Sequence, residues 1–251
     1  MQDRSPALDR LVLTLTGKPV PKICFLATAS GDGRDQTIRF RERYSGWPCA
    51  PSVLSLFHLG RDRIDPRAHL LAQDAIYVGG GSMRNMLAVW REHGVDETMR
   101  SAWERGIVLA GISAGAMCWF EGGITMSGGS PQPAGGLGLL AGSLSVHLDS
   151  EPDRMTAYRV AVGSGDLPPG WAVDDCAALL VHGTSVSACV ASRPGARVVR
   201  VQADGEGGTR ERVLEVRVLP GAATASREPG ADEADVVSEL RELRAGRHRW
   251  E

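Results

Sequence analysis

Residues 107–120 read IVLAGISAGAMCWF. The first four are apolar, the length and composition of a short buried strand. They enter Gly111-Ile112-Ser113-Ala114-Gly115, a G-x-S-x-G, and residues 116–120 that follow can be helical. A serine lodged between a strand and a helix meets the structural condition for a nucleophile elbow. The turn is too tight for bulky neighbours, and Gly111, Ala114 and Gly115 are small. It lifts the serine oxygen clear of the backbone at the carboxyl end of the strand. It also aims the Ala114 N–H at the place where an oxyanion would form. The same small residues would serve plain strand–helix packing, so the reading depends on what surrounds them.

Upstream, residues 22–27 (KICFLA), 53–57 and 75–78 are further short apolar runs that read as strands. Between them, 35–44, 66–73, 83–92 and 95–104 read as helices; Met83, Met86, Leu87 and Trp90 fall at helical spacing. Strands alternating with helices imply an α/β fold, a three-layer sandwich with a mostly parallel sheet covered on both faces. Downstream the texture changes. Residues 122–142 are dense in Gly, Ser and Pro and read as a long loop, which inside a compact domain is usually functional. Residues 143–148 form a candidate strand, 153–162 a helix, and 177–181 and 186–190 late strands. Residues 197–202 and 213–219 read as an edge hairpin. The expected organisation is one α/β domain over 1–220, then a flexible linker at 221–232 and a charged helix at 235–244 within a 221–251 tail.

Composition narrows the function classes. The chain has 251 residues, 43% hydrophobic and 23% charged, with a formal net charge of -2 and both signs interspersed. That suits a globular domain with a sizeable core and offers no basic patch for nucleic acid. Five scattered cysteines without C-x-x-C indicate neither a disulfide framework nor a zinc site. No apolar run approaches the roughly 20 residues of a membrane span, and MQDRSPALDR carries no signal-like apolar stretch. A cytoplasmic enzyme or binding domain is expected, with no metal, no cofactor and no membrane partner.

An oxyanion needs a second N–H donor, and Gly79-Gly80-Gly81, which ends its own strand before a helix, can approach closely enough to supply one. The run does not fit a nucleotide loop: no G-x-G-x-x-G and no Lys-Ser/Thr follow. A serine hydroxyl also needs a base. Of the six histidines, His69, His93 and His248 sit in charged surroundings, and His58 and His182 each follow an apolar strand. His147, in SLSVHLDSE after the glycine-rich stretch, is the best-placed base.

These pieces, IYVGGGSM at 76–83, GISAGAMCWFE at 111–121 and HLDSEP at 147–152, together with FLATASGD at 25–32, resemble the peptidase E (dipeptidase E) family of serine peptidases, and more distantly the cyanophycinases. The likeness spans about 22–219. It implies a flavodoxin-like, class I glutamine-amidotransferase-like fold and cleavage of dipeptides with an N-terminal Asp. It implies Ser113 as nucleophile, His147 as base, and Gly81 with Ala114 as oxyanion donors. Two departures stand out: Ser82-Met83 replaces the Asn-Thr that often follows the glycines, and 124–127 (ITMS) lacks the Asp often found there.

In the family the acid usually falls between serine and histidine, and Glu121 is the only carboxylate in that interval. It is the first choice for the third catalytic member. Unbroken helix would carry it about 12 Å from the serine, so the helix must end near Trp119 and the chain fold back. Asp149 and Glu151 are the alternatives. Gly80, Ser82 and Arg154 are the candidates to bind substrate, Arg154 as a bidentate partner for a substrate carboxylate and Arg84 as a second cation. The expected partner is a small peptide bound by a monomer or homodimer. The competing readings are another amide or ester hydrolase, isoaspartyl or cyanophycin-like peptides included, and an inactive binding domain of the same fold.

Overall fold

The computed structural model describes residues 5–220; the expected linker and charged tail helix lie outside them. In chain order the helices are α1 (Ala7–Leu15), α2 (Arg34–Ser45), α3 (Leu59–Asp62), α4 (Pro66–Leu71), α5 (Met83–Glu92), α6 (Val95–Glu104), α7 (Ala114–Met117) and α8 (Pro152–Ser164). The strands are β1 (Lys22–Leu26), β2 (Ala50–Leu54), β3 (Ala75–Val78), β4 (Val108–Gly111), β5 (Phe120–Thr125), β6 (Gln132–Gly135), β7 (Leu140–Val146), β8 (Gly170–Val173), β9 (Ala177–His182), β10 (Ser185–Ala191), β11 (Val198–Ala203), β12 (Thr209–Val213) and β13 (Arg217–Val218).

The first half forms a four-stranded parallel sheet in the order β2-β1-β3-β4. Its inner strands β1 and β3 are near-continuous apolar runs because both faces are covered, whereas the edge strand β2 (APSVL) is partly exposed and overlaps the expected 53–57 only at Val53 and Leu54. On one face Ile23 and Phe25 of β1 and Tyr77 of β3 pack on Phe40 and Tyr44 of α2 and Leu13 of α1. Phe25 and Phe40 stack with ring centroids 4.8 Å apart. On the other face Cys24, Leu26, Ile76 and Val78 meet Met86 and Trp90 of α5 and Met99 of α6. The helical stripe Met83, Met86, Leu87 and Trp90 is fully or almost fully buried. Each such side chain contributes about 1.5–3 kcal/mol. The flavodoxin-like α/β fold with a parallel central sheet is therefore as its sequence indicates.

The sheet does not continue unbroken. The second half builds a six-stranded sheet, β12-β11-β8-β7-β5-β6, and a three-stranded one, β13-β10-β9. In the larger of these only β5–β7 and β7–β8 are parallel. Residues 122–142, expected as loop, contain most of β5, all of β6 and the start of β7. The glycines there serve close strand approach: a Cβ on Gly123 would lie 2.3 Å from Leu144 O, and one on Gly122 2.9 Å from Ala134 O. The helix expected through Phe120 stops at Met117, and Phe120 already belongs to β5. The first strand of the expected edge hairpin is β11, but its antiparallel partner is β12 at Thr209–Val213 rather than residues 213–219, of which 217–218 pair instead with β10. There Leu219 packs with Leu11 of α1 and Val190. Ala114 and Met117 of α7 share one core with Val78 of the first sheet and Leu144 and Val173 of the second. The elbow thus sits where the two sheets meet. Among the described residues no helix is long and apolar enough to cross a membrane.

Candidate active site

Ser113 stands directly between β4 and α7 with φ 52° and ψ -117°, a left-handed backbone for a residue with a Cβ. Such a conformation costs on the order of 1–3 kcal/mol and persists only where its surroundings impose it. Here Ile112 N donates to Val78 O at 3.0 Å and Gly115 N to Ile112 O at 2.9 Å. The flanking glycines are obligatory. A Cβ on Gly111 would come within 2.1 Å of Gly115 O, and one on Gly115 within 2.3 Å of Val78 O.

His147 follows β7, also at positive φ (63°), and its carbonyl accepts the Glu151 N–H at 2.8 Å in a tight turn. Its Nε2 lies 3.1 Å from Ser113 Oγ, and its Nδ1 lies 2.6 Å from Asp175 Oδ1. An ionised carboxylate only accepts, so Nδ1 carries the hydrogen and Nε2 keeps its lone pair for the serine hydroxyl. Asp175 comes from the loop after β8. Because β7 and β8 run parallel with Val146 opposite Val173, the residues just past both strands emerge side by side. Ser150 Oγ donates to the other carboxylate oxygen of Asp175 at 2.7 Å. Partial burial pushes the Asp175 carboxyl up. The bonds from Ser150 and His147 and the charges of His147 and Arg193 outweigh it, so the carboxyl titrates below its ordinary value.

The acid expected at Glu121 is therefore corrected to Asp175. Glu121 lies on the exposed side of β5, and its Oε2 accepts the Gly142 N–H at 2.6 Å. Neither alternative's carboxylate bonds the His147 imidazole, whose two nitrogens face Asp175 and Ser113. Asp149 accepts the Asp175 N–H at 2.8 Å and an Arg193 N–H at 2.7 Å, so it braces the loop that carries the acid. Glu151 pairs with Arg154 at 2.7 Å. That pair also corrects the expectation for Arg154. It is 5% exposed, and it donates to Glu151 and, at 3.1 Å, to Ile124 O, which leaves no guanidinium edge for a substrate carboxylate. Arg84, at the exposed start of α5, donates to Gln132 Oε1 and Pro133 O.

The glycine run borders the elbow: a Cβ on Gly80 would lie 3.1 Å from Ser113 Cβ. Gly79 N and Ser82 N are occupied by Leu26 O and Ala29 O, whereas among the described residues the N–H groups of Gly80, Gly81 and Ala114 donate to no protein acceptor. Ser82 caps α5, its Oγ accepting the Asn85 N–H at 3.2 Å. Cys118 is the other candidate nucleophile near the elbow. Burial raises its thiol well above the ordinary range, and its Sγ donates to Gly115 O at 3.3 Å. A thiol held protonated is inert. Cys118→Ala is expected to keep kcat/KM of peptide hydrolysis within about threefold, and a loss of a hundredfold or more in a folded variant would make the sulfur essential.

The sequence reading does not reach Asp175 because it gives no strand to residues 170–173 and places the acid either before His147, at Glu121, or directly after it, at Asp149 or Glu151. The signal was present: WAVDDC at 171–176 is an apolar run closed by two carboxylates. Of the two, Asp174 is buried and bonds Arg197, and Asp175 reaches the histidine.

A strained serine, a histidine and a carboxylate thus converge at the carboxyl ends of strands in a flavodoxin-like α/β fold. Two solved structures share that fold. One is a peptidase from an acI-B1 Actinobacterium (TM-score 0.62, 18% identity, covering 84% of this chain and 89% of that one). The other is a putative peptidase E protein from Listeria monocytogenes EGD-e (TM-score 0.50, 13% identity, covering 86% and 96%). At these identities the likeness is one of fold. The profile of Peptidase family S51 matches residues 1–189. The Bacillus subtilis (strain 168) protein named Uncharacterized peptidase YgaJ is 42% identical over 201 residues, 80% of this chain and 86% of that protein. The chain belongs to peptidase family S51, a family of serine peptidases.

Proposed function

We propose that this peptidase cleaves short peptides, dipeptides with an N-terminal Asp first among them, through an acyl-enzyme on Ser113. The observation that carries the reading is the continuous line from Ser113 Oγ through His147 to Asp175, at 3.1 and 2.6 Å, beside unoccupied N–H groups. Ser113 Oγ attacks the scissile carbonyl carbon as its proton passes to His147 Nε2. The carbonyl electron pair moves to oxygen, where the Gly81 and Ala114 N–H groups receive it. The tetrahedral species collapses, the C–N bond breaks, and His147 returns the proton to the leaving amine. Water, deprotonated by the same imidazole, then splits the ester and restores the serine. Asp175 stays ionised throughout, holding the tautomer and stabilising the imidazolium.

For the Asp side chain, Arg84 at the start of α5 is the cation this reading retains, now that Arg154 is committed elsewhere. A panel of Asp-X, isoAsp-X, Glu-X and Ala-X dipeptides tests the substrate class. Asp-X is expected to show the highest kcat/KM. Faster isoAsp-X cleavage would shift the reading to isoaspartyl peptides, and equal cleavage of Ala-X would remove the acidic preference.

A further inference from the structure

We infer that Gln36 is a positioning residue for the oxyanion site, an inference that rests on the reading of Gly81 as an oxyanion donor. Gly80 and Gly81 are joined by a peptide whose flanking residues have almost no conformational preference of their own. Gly81 has φ 141°, where a side chain could not follow, since its Cβ would lie 2.2 Å from Ala29 O. The chain is pinned on either side of this peptide by Gly79 N to Leu26 O at 2.9 Å and Ser82 N to Ala29 O at 2.7 Å. Neither bond sets the orientation of the Gly80–Gly81 plane. Gln36 does: its Nε2 donates to Gly80 O at 3.1 Å, the one bond made to this peptide among the described residues. Only the NH2 end of an amide can face a carbonyl, so the direction of the side chain follows from the contact.

The peptide bond is trans, as all are among the described residues. In a planar trans peptide the C=O and N–H point opposite ways. Anchoring the Gly80 carbonyl on the α2 side therefore fixes the Gly81 N–H away from α2, and a flipped plane would present a carbonyl oxygen instead of a donor. Polarising the carbonyl also strengthens the N–H at the other end of the same amide. The arrangement is costly: Gln36 Oε1 is buried and unpartnered, pressed against Gly79, where an added Cβ would lie 2.6 Å away. A buried amide oxygen without a partner asks for a functional explanation, and the orientation of the Gly80–Gly81 peptide supplies one.

The test is the kinetics of Gln36→Met and Gln36→Glu with the fastest dipeptide of the panel, alongside Ser113→Ala. Losing one oxyanion donor should lower kcat by about 10–1000-fold with KM within about twofold. In Gln36→Glu the ratio of variant to wild-type kcat should rise as pH falls, because a protonated carboxyl can donate to Gly80 O and an ionised one cannot. A merely structural role would produce neither the split nor the pH-dependent ratio. A folded Gln36→Met with unchanged kcat, or with only KM raised, overturns the inference and leaves the serine mechanism standing. Unfolding of both variants makes Gln36 structural and also overturns it. Hydrolysis that survives in Ser113→Ala overturns the serine mechanism itself, and the inference falls with it.

Discussion

Ser113→Ala is expected to abolish peptide hydrolysis, a loss on the order of 10⁴–10⁶ in kcat, in a protein that still folds and still binds its substrate. The size of the effect follows from the chemistry: without Oγ no acyl-enzyme forms, and what remains is orientation and the two backbone donors. Folding should survive because the serine hydroxyl bonds His147 Nε2, while the turn is held by backbone bonds from Ile112 and Gly115. Ser113→Gly sharpens the test. It should be equally inactive, yet melt no lower than Ser113→Ala, because glycine accepts φ 52° without the strain that any Cβ incurs there. Steady-state rates, isothermal binding of an uncleaved dipeptide and thermal melts read these separately. Full turnover by a folded Ser113→Ala protein would sink the mechanism.

What could be read from the sequence divides along the range of the interactions. The first sheet was legible because its strands are covered on both sides and therefore print as unbroken apolar runs, 22–27 and 75–78 above all. The helices between them carry their stripe at 3.6 spacing. Ser113, His147 and the glycines were legible because the elbow and the oxyanion site demand small residues at fixed offsets. The second sheet was not. Its β5 and β6 contain the glycines and prolines that ordinarily signal loops, and only the approach of Leu144 O and Ala134 O explains why a strand needs Gly122 and Gly123. Asp175 was hidden for a related reason: it reaches His147, 28 residues away in sequence, only through the parallel register of β7 and β8. Arg154 misled for the converse reason. Its position after the histidine suggested a substrate cation, while its burial against Glu151 and Ile124 O, invisible in sequence, gives it a structural role.

Asp175→Asn is expected to lower kcat by about 10²–10⁴, whereas Glu121→Gln should cost under about tenfold. The contrast separates the acid that bonds the imidazole from the acid first inferred by elimination. Glutamine at 121 can still accept the Gly142 N–H through its amide oxygen, and no bond to the histidine exists to be lost. Asparagine at 175 has two ways to sit and both are harmful. With its NH2 toward His147 it forces the hydrogen onto Nε2, which then cannot accept from Ser113. With its oxygen toward His147 the tautomer is kept, but Ser150 must turn to accept, and the negative charge that stabilises the imidazolium is gone. KM should change little, because the imidazolium forms only on the way to the transition state. Stability supplies an independent check with a defined sign. The Asp175 carboxyl titrates below its ordinary value in the folded protein. Its contribution is therefore present above the unfolded-state value of about 3.9 and is lost as pH falls through the folded one. Asp175→Asn should melt below wild type near neutrality, and the gap should close in acid. With 36% of the side chain exposed the gap is small. Equal kinetic losses in Asp175→Asn and Glu121→Gln, or a large loss in Glu121→Gln alone, would mean that the bond seen at 2.6 Å is not the one that works during turnover.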